Sequence, residues 1–138
     1  MFGIGGKEKK PKLTQKEIAM NQAANLFKDS LTGNEKILHA VSGKCDAENF
    51  IFSIGILGET DKRILYYFQD GSKTGTETVL YDKIISITSI SGFEKKMGNY
   101  IGVSIELANG KQRVVRCIVN DENKELINEI ILFAEGKR

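Results

Sequence analysis

Few side chains in this sequence are of a type that performs chemistry, and their spacing decides what they are for. His39 is the only histidine in 138 residues. A general base or a zinc ligand needs a partner of matching type nearby, and the sequence around His39 supplies none. His39 therefore reads as a structural residue in a strand. The run Gly71-Ser-Lys-Thr-Gly75 echoes two phosphate and acyl-transfer motifs. A P-loop needs Gly-Lys followed by Ser or Thr, and the β-lactamase-type Lys-Thr-Gly needs a Ser-x-x-Lys nucleophile; the chain has neither. The run reads as a polar hairpin turn. The Gly3–Gly6 stretch does not follow a strand, so it is no dinucleotide fingerprint. Cys45 and Cys117 lie far apart without a Cys-x-x-Cys pair and read as reduced core thiols. No catalytic set, metal site or cofactor site emerges, and a non-enzymatic protein is expected.

Charge narrows the class of partner. Net charge is +2, yet Lys7, Lys9, Lys10, Lys12 and Lys16 face a single glutamate, Glu8, within the first sixteen residues. The rest of the chain is net negative, whereas a nucleic-acid reader carries its basic excess on the folded domain. DNA and RNA are not expected partners. No apolar run reaches the roughly 20 residues needed to cross a bilayer, and no secretory signal is present, so a soluble cytoplasmic protein is expected.

The elements that must position these residues follow from periodicity. Residues 1–12 combine glycines, lysines and the only proline, and read as a flexible basic tail. Thr14 with Glu17 forms a capping box that opens an amphipathic helix over residues 13–32, with Ala19, Met20, Ala23, Ala24, Leu26 and Phe27 on its apolar side and Gly33 as its C-cap. From Glu35 the period becomes two. Seven short strands follow, in "KILHAVSG", "NFIFSIGIL", "KRILYYFQ", "ETVLYDKI", "ISITSIS", "YIGVSIELA" and "KQRVVRCIV". Phe50, Phe52, Ile54 and Ile56 are expected on one face of the second. Asn109-Gly110 is the strongest hairpin signal. A last helix, capped by Asn120 or Asp121, carries Leu126, Ile127, Ile130, Ile131, Phe133 and Ala134 on one broad apolar face and leaves Leu132 on its polar side. The fold class expected is mainly β (α+β): a seven-stranded antiparallel barrel or sandwich, stoppered by the C-terminal helix, with an extra helix in front.

This order resembles the pleckstrin-homology superfold, and most closely its bacterial, YokE-like group. The residues that carry the resemblance are "NEKILHAVSG", the Thr60-x-x-Arg63 turn entering "ILYYF", and Tyr81-x-x-Ile84. It covers about residues 31–135, with the domain itself taken as 33–138. The resemblance implies a non-enzymatic binding module that recognises another protein or assembles with itself as a homo-oligomer. Leu132, Met20 and Phe27 are the candidate protein contacts. It also implies that the first, third and sixth inter-strand loops gather at one mouth, each with one lysine: Lys44, Lys73 and Lys111. With Arg63 these are candidate ligands for an anionic phospholipid surface, which would place the protein peripherally at the inner face of the membrane. The tail lysines would add to that attraction, with Phe2 and Ile4 inserting shallowly.

Overall fold

The computed structural model describes residues 13–46 and 53–138. The basic tail, Phe50 and Phe52 lie outside the described residues. The chain folds as helix α1 (Gln15–Phe27), strands β1 (His39–Gly43), β2 (Ser53–Glu59), β3 (Arg63–Asp70) and β4 (Lys73–Leu80), a 3₁₀ turn (Tyr81–Lys83), strands β5 (Ile84–Glu94), β6 (Gly98–Leu107) and β7 (Gln112–Ile118), and helix α2 (Asp121–Lys137). Two antiparallel sheets result, one in the order β1-β2-β3-β4 and one in the order β5-β6-β7. They form a sandwich and not a closed barrel. Among the described residues the sheets are joined by one bridge, Lys44 to Arg116, while β4 and β5 each leave an edge unpaired.

The main core lies between the sheets and under α2. Val41, Leu57, Ile64, Tyr66, Val103, Ile105 and Val115 meet Leu126, Ile127, Ile130 and Ala134 there. In β6 the alternation is clean, since Val103, Ile105 and Leu107 are the inward positions. Asn120 caps α2 by accepting from the Asn123 backbone N–H, and Asn123 donates to the Ile118 carbonyl, which ties the helix start to the end of β7.

A second, smaller core explains the extra helix. The outward positions of the first sheet are apolar too: Ala40 on β1, Ile56 on β2 and Leu65 on β3. Helix α1 covers them with Ala19, Ala23 and Phe27, which recur every four residues as one stripe. A Cβ on Gly58 would stand 3.1 Å from Ile37 and 3.5 Å from both Ala23 and Phe27, so this position of β2 lies directly under Ile37 and α1. β2 and β3 are thus buried on both faces, so the face of Ile54 and Ile56 is not the only apolar face of β2. Ile54 is exposed, Ile56 faces α1, and Leu57, of opposite parity, fills the main core.

The ends of two elements differ from expectation. The capping box forms as read, with Thr14 accepting from the Glu17 N–H and Glu17 accepting from the Thr14 N–H. The helix stops at Phe27, not at Gly33; its C-cap is Lys28, and Gly33 serves a later turn at φ +58°. Asn109-Gly110 does turn a hairpin, but through three residues. Leu107 donates to the Lys111 carbonyl and Gly110 takes φ +85°, a turn with a left-handed third residue instead of a two-residue loop.

Candidate binding site

The residues that carry the family resemblance converge on one hub, and the hub is structural. Glu35 precedes β1 with its side chain fully buried. Its Oε2 accepts from Thr60 Oγ1 at 2.6 Å and from Arg63 Nε at 2.9 Å, and its Oε1 accepts from Arg63 Nη2 at 2.9 Å. This is a two-pronged guanidinium–carboxylate pair, the strongest ion-pair geometry available to side chains. Arg63 also donates to Thr78 Oγ1 and to the Ser30 carbonyl. Tyr81 O–H donates to the Thr60 carbonyl at 2.6 Å. The Arg63 hydrogen bond holds the Glu35 carboxyl at a pKa of about 2, against the desolvation that opposes it. Arg63, a candidate anion ligand, therefore spends its donors on the turn between β2 and β3.

The three loop lysines are not gathered at one mouth. Lys44 bridges Arg116, five residues along β7 from Lys111, which is roughly 16 Å at strand rise. Lys73 opens β4, while the loop of Lys111 is fixed beyond the other end of β4, where Ala108 N–H donates to the Lys83 carbonyl. The sequence could not reveal this, because it depends on how the second sheet crosses the first. Of the candidate protein contacts, Phe27 is fully buried under α1 and Met20 packs beside it, so the chain itself occupies them. Leu132 is 63% exposed on α2.

The titratable and nucleophilic groups are enclosed. Cys45 and Cys117 are buried free thiols; desolvation raises both, Cys117 to about 12, which leaves them protonated and inert. His39 is the cross-strand partner of Glu59, with Nδ1 3.1 Å from Oε1. Glu59 is wholly buried and its Oε2 has no hydrogen-bond partner among the described residues. Burial raises this carboxyl to about 9 and lowers His39, so desolvation disfavours the charged form of both partners. The Phe133 ring closes over His39 at 5.1 Å. A buried glutamate in a stretch that reads as a charged turn had no signal in the sequence.

The concave surface lies elsewhere, between β5 and α2. In the β5–β6 register, Ile87, Ser89, Ser91 and Phe93 oppose Ile105, Val103, Ile101 and Asn99, so they share the inward face. Ile87 is core, but Ser89, Ser91 and Phe93 are exposed. Two short hydroxyl side chains at inward positions leave the sheet and helix unjoined, and a groove of about 530 Å³ opens between them. Ser89, Ser91 and Ile101 belong to its floor, and Lys124, Ile127, Asn128 and Ile131 to its helical wall. Leu132 stands one helical turn beyond Asn128 and prolongs that wall. Arg138 donates to the Ile85 carbonyl at one end, while Lys124 and Ser91 line the groove at the other, so α2 runs antiparallel to β5 for roughly 20 Å. The edge of β5 that is unpaired among the described residues lies along this groove. Its signal in the sequence was the pair of serines in "ISITSIS", where a core strand would carry apolar residues.

Comparison with known proteins agrees with this architecture. No curated protein matches the chain. Among solved structures, the pleckstrin homology domain from Shewanella amazonensis SB2B is 13% identical, with a TM-score of 0.55 over 85% of this chain and 99% of that one. The C-terminal domain of an unknown protein from Leishmania infantum is also 13% identical, with a TM-score of 0.56 over 83% of this chain and 96% of that one. At that identity the likeness is one of fold. The model of the family described as bacterial PH domain matches residues 31–132, from just after α1 into α2. The chain belongs to the bacterial PH domain family.

Proposed function

We propose that this protein is a non-catalytic binding module that takes an extended segment of another protein along the β5 edge, between that strand and α2. The observation that carries the reading is the coincidence of an unpaired strand edge with a groove of about 530 Å³ beside it. An exposed edge offers main-chain donors and acceptors at strand spacing, and an incoming strand satisfies them while its alternate side chains enter the groove. Ile101, Ile127 and Ile131 favour apolar side chains there, and Ser89, Ser91 and Asn128 supply hydrogen-bonding groups. Leu132 extends the apolar contact along the helix. Within the family, the joined Glu35, Thr60, Arg63 and Tyr81 support membership of the YokE-like group.

Peptides selected from a displayed library of unstructured sequences test this, using the full chain as bait and amide NMR shifts as the map. The expected result is a cluster of shifts at Thr88–Ser91 and Lys124–Ile131, with Asn128→Arg weakening the selected peptide at least about tenfold. Shifts centred on Lys44, Lys73 or Lys111 would overturn the assignment and favour an anionic ligand, which vesicles containing phosphatidylserine would then reveal.

A further inference from the structure

The groove ends close to where the described chain begins. The Gln15 N–H donates to Glu122 Oε2 at 3.1 Å, which seats the start of α1 on the first turn of α2. That turn carries Asp121 and Glu122, with Glu125 following, and all three side chains are exposed. Lys124, on the opposite side of the same turn, lines the groove. A helix is about 10 Å across, whereas twelve residues extend to about 40 Å. Residues 1–12 are therefore long enough to cross the start of α2 and enter the groove from its open end.

Their chemistry suits that path. The half next to α1 carries Lys7, Lys9, Lys10 and Lys12 against Glu8, and it would cross three carboxylates. The first half reads Met-Phe-Gly-Ile-Gly, with Phe2 and Ile4 at strand period and only glycine between and after them. In an extended segment both apolar side chains fall on one face. The groove offers Ile101, Ile127 and Ile131 to that face.

We propose that the N-terminal segment Met1–Gly6 docks in the β5–α2 groove of its own chain, with Lys7–Lys12 bridging the acidic first turn of α2, so that a partner must displace it. The inference rests on the groove reading above and names the segment that occupies it at rest. The tail is then an internal competitor, and the groove's apparent affinity for any partner falls by the fraction of molecules in which the tail is docked.

The chain contains no tryptophan, so Phe2→Trp places a single reporter on the tail. The expected result is blue-shifted emission at every protein concentration. That emission moves red when Ser91→Arg and Asn128→Arg, both exposed positions, block the groove. It also moves partly red with Glu125→Lys or raised salt. Hydrogen exchange on the otherwise unaltered chain is the second readout, with Thr88–Ser91 amides exchanging at least about tenfold faster after Phe2→Ser with Ile4→Ser. Solvent-exposed emission together with unchanged exchange overturns the proposal. A blue shift that appears only as concentration rises assigns the tail to a second copy and overturns it as well. If the tail is free while a library-selected peptide still shifts Thr88–Ser91, the groove reading stands without its resting occupant; if neither enters the groove, both fall.

Discussion

At the scale of single residues, Arg63, a candidate anion ligand by sequence, fastens the fold through Glu35. Glu35 is enclosed by Thr60 and Arg63, and removing one member of such a buried pair strands the other. Arg63→Ala is expected to lower unfolding free energy by about 3 kcal/mol in denaturant titrations, and Arg63→Lys to restore only part of it, because a lysine cannot make the two-pronged contact. The folded pKa of Glu35, about 2, lies below its ordinary value of 4.5. Its contribution is therefore complete above pH 4.5 and drains away as pH falls toward 2. The stability gap between the natural chain and Glu35→Gln should narrow over that interval. Glu59 has the opposite sign. Its folded carboxyl titrates near 9, so the folded state holds a proton that the unfolded state releases, and stability declines as pH rises from about 4.5 to 9. Glu59→Gln keeps a donor for His39 Nδ1 and cannot ionise. It should unfold at higher denaturant than the natural chain at pH 8, by about 2 kcal/mol, with a smaller difference at pH 5. A pH-independent difference would show that Glu59 is not buried as a neutral acid.

At the scale of elements, periodicity made the seven strands and α2 legible, because each strand is short and bounded by turn residues. What it left hidden was the second face of β2 and β3. Leu57 beside Ile56 and Leu65 beside Tyr66 break simple alternation, and only the presence of α1 on the outer side accounts for both. Phe27 accordingly serves the fold and not a partner. Phe27→Ala should destabilise the protein by about 3–5 kcal/mol in thermal or denaturant unfolding. If it leaves stability unchanged, α1 does not pack where the second core requires. Gly58→Val makes the same point from the sheet side, since its side chain would meet Ile37, Ala23 and Phe27. The groove was likewise hidden in plain composition. Ser89 and Ser91 look like ordinary strand residues until the register shows that they occupy inward positions.

At the scale of the whole molecule, the open side of the sandwich is where the fold leaves work undone. β1 and β7 are bridged at Lys44 and Arg116 and α2 packs on the core, yet among the described residues β5 keeps a free edge beside a helix that does not fully cover it. Loop lysines spread over separate ends of the sandwich give no single basic mouth, whereas the groove runs beside Thr88–Ser91 for roughly 10 Å, enough for about three or four extended residues. The most direct measurement is a set of intermolecular NOEs between an isotope-labelled protein and a library-selected peptide. The expected result is backbone contacts at strand spacing from the peptide to β5 residues Thr88–Ser91, with peptide side chains touching Ile127 and Ile131. Contacts confined to any other surface, with the β5 edge still open to solvent, would contradict it.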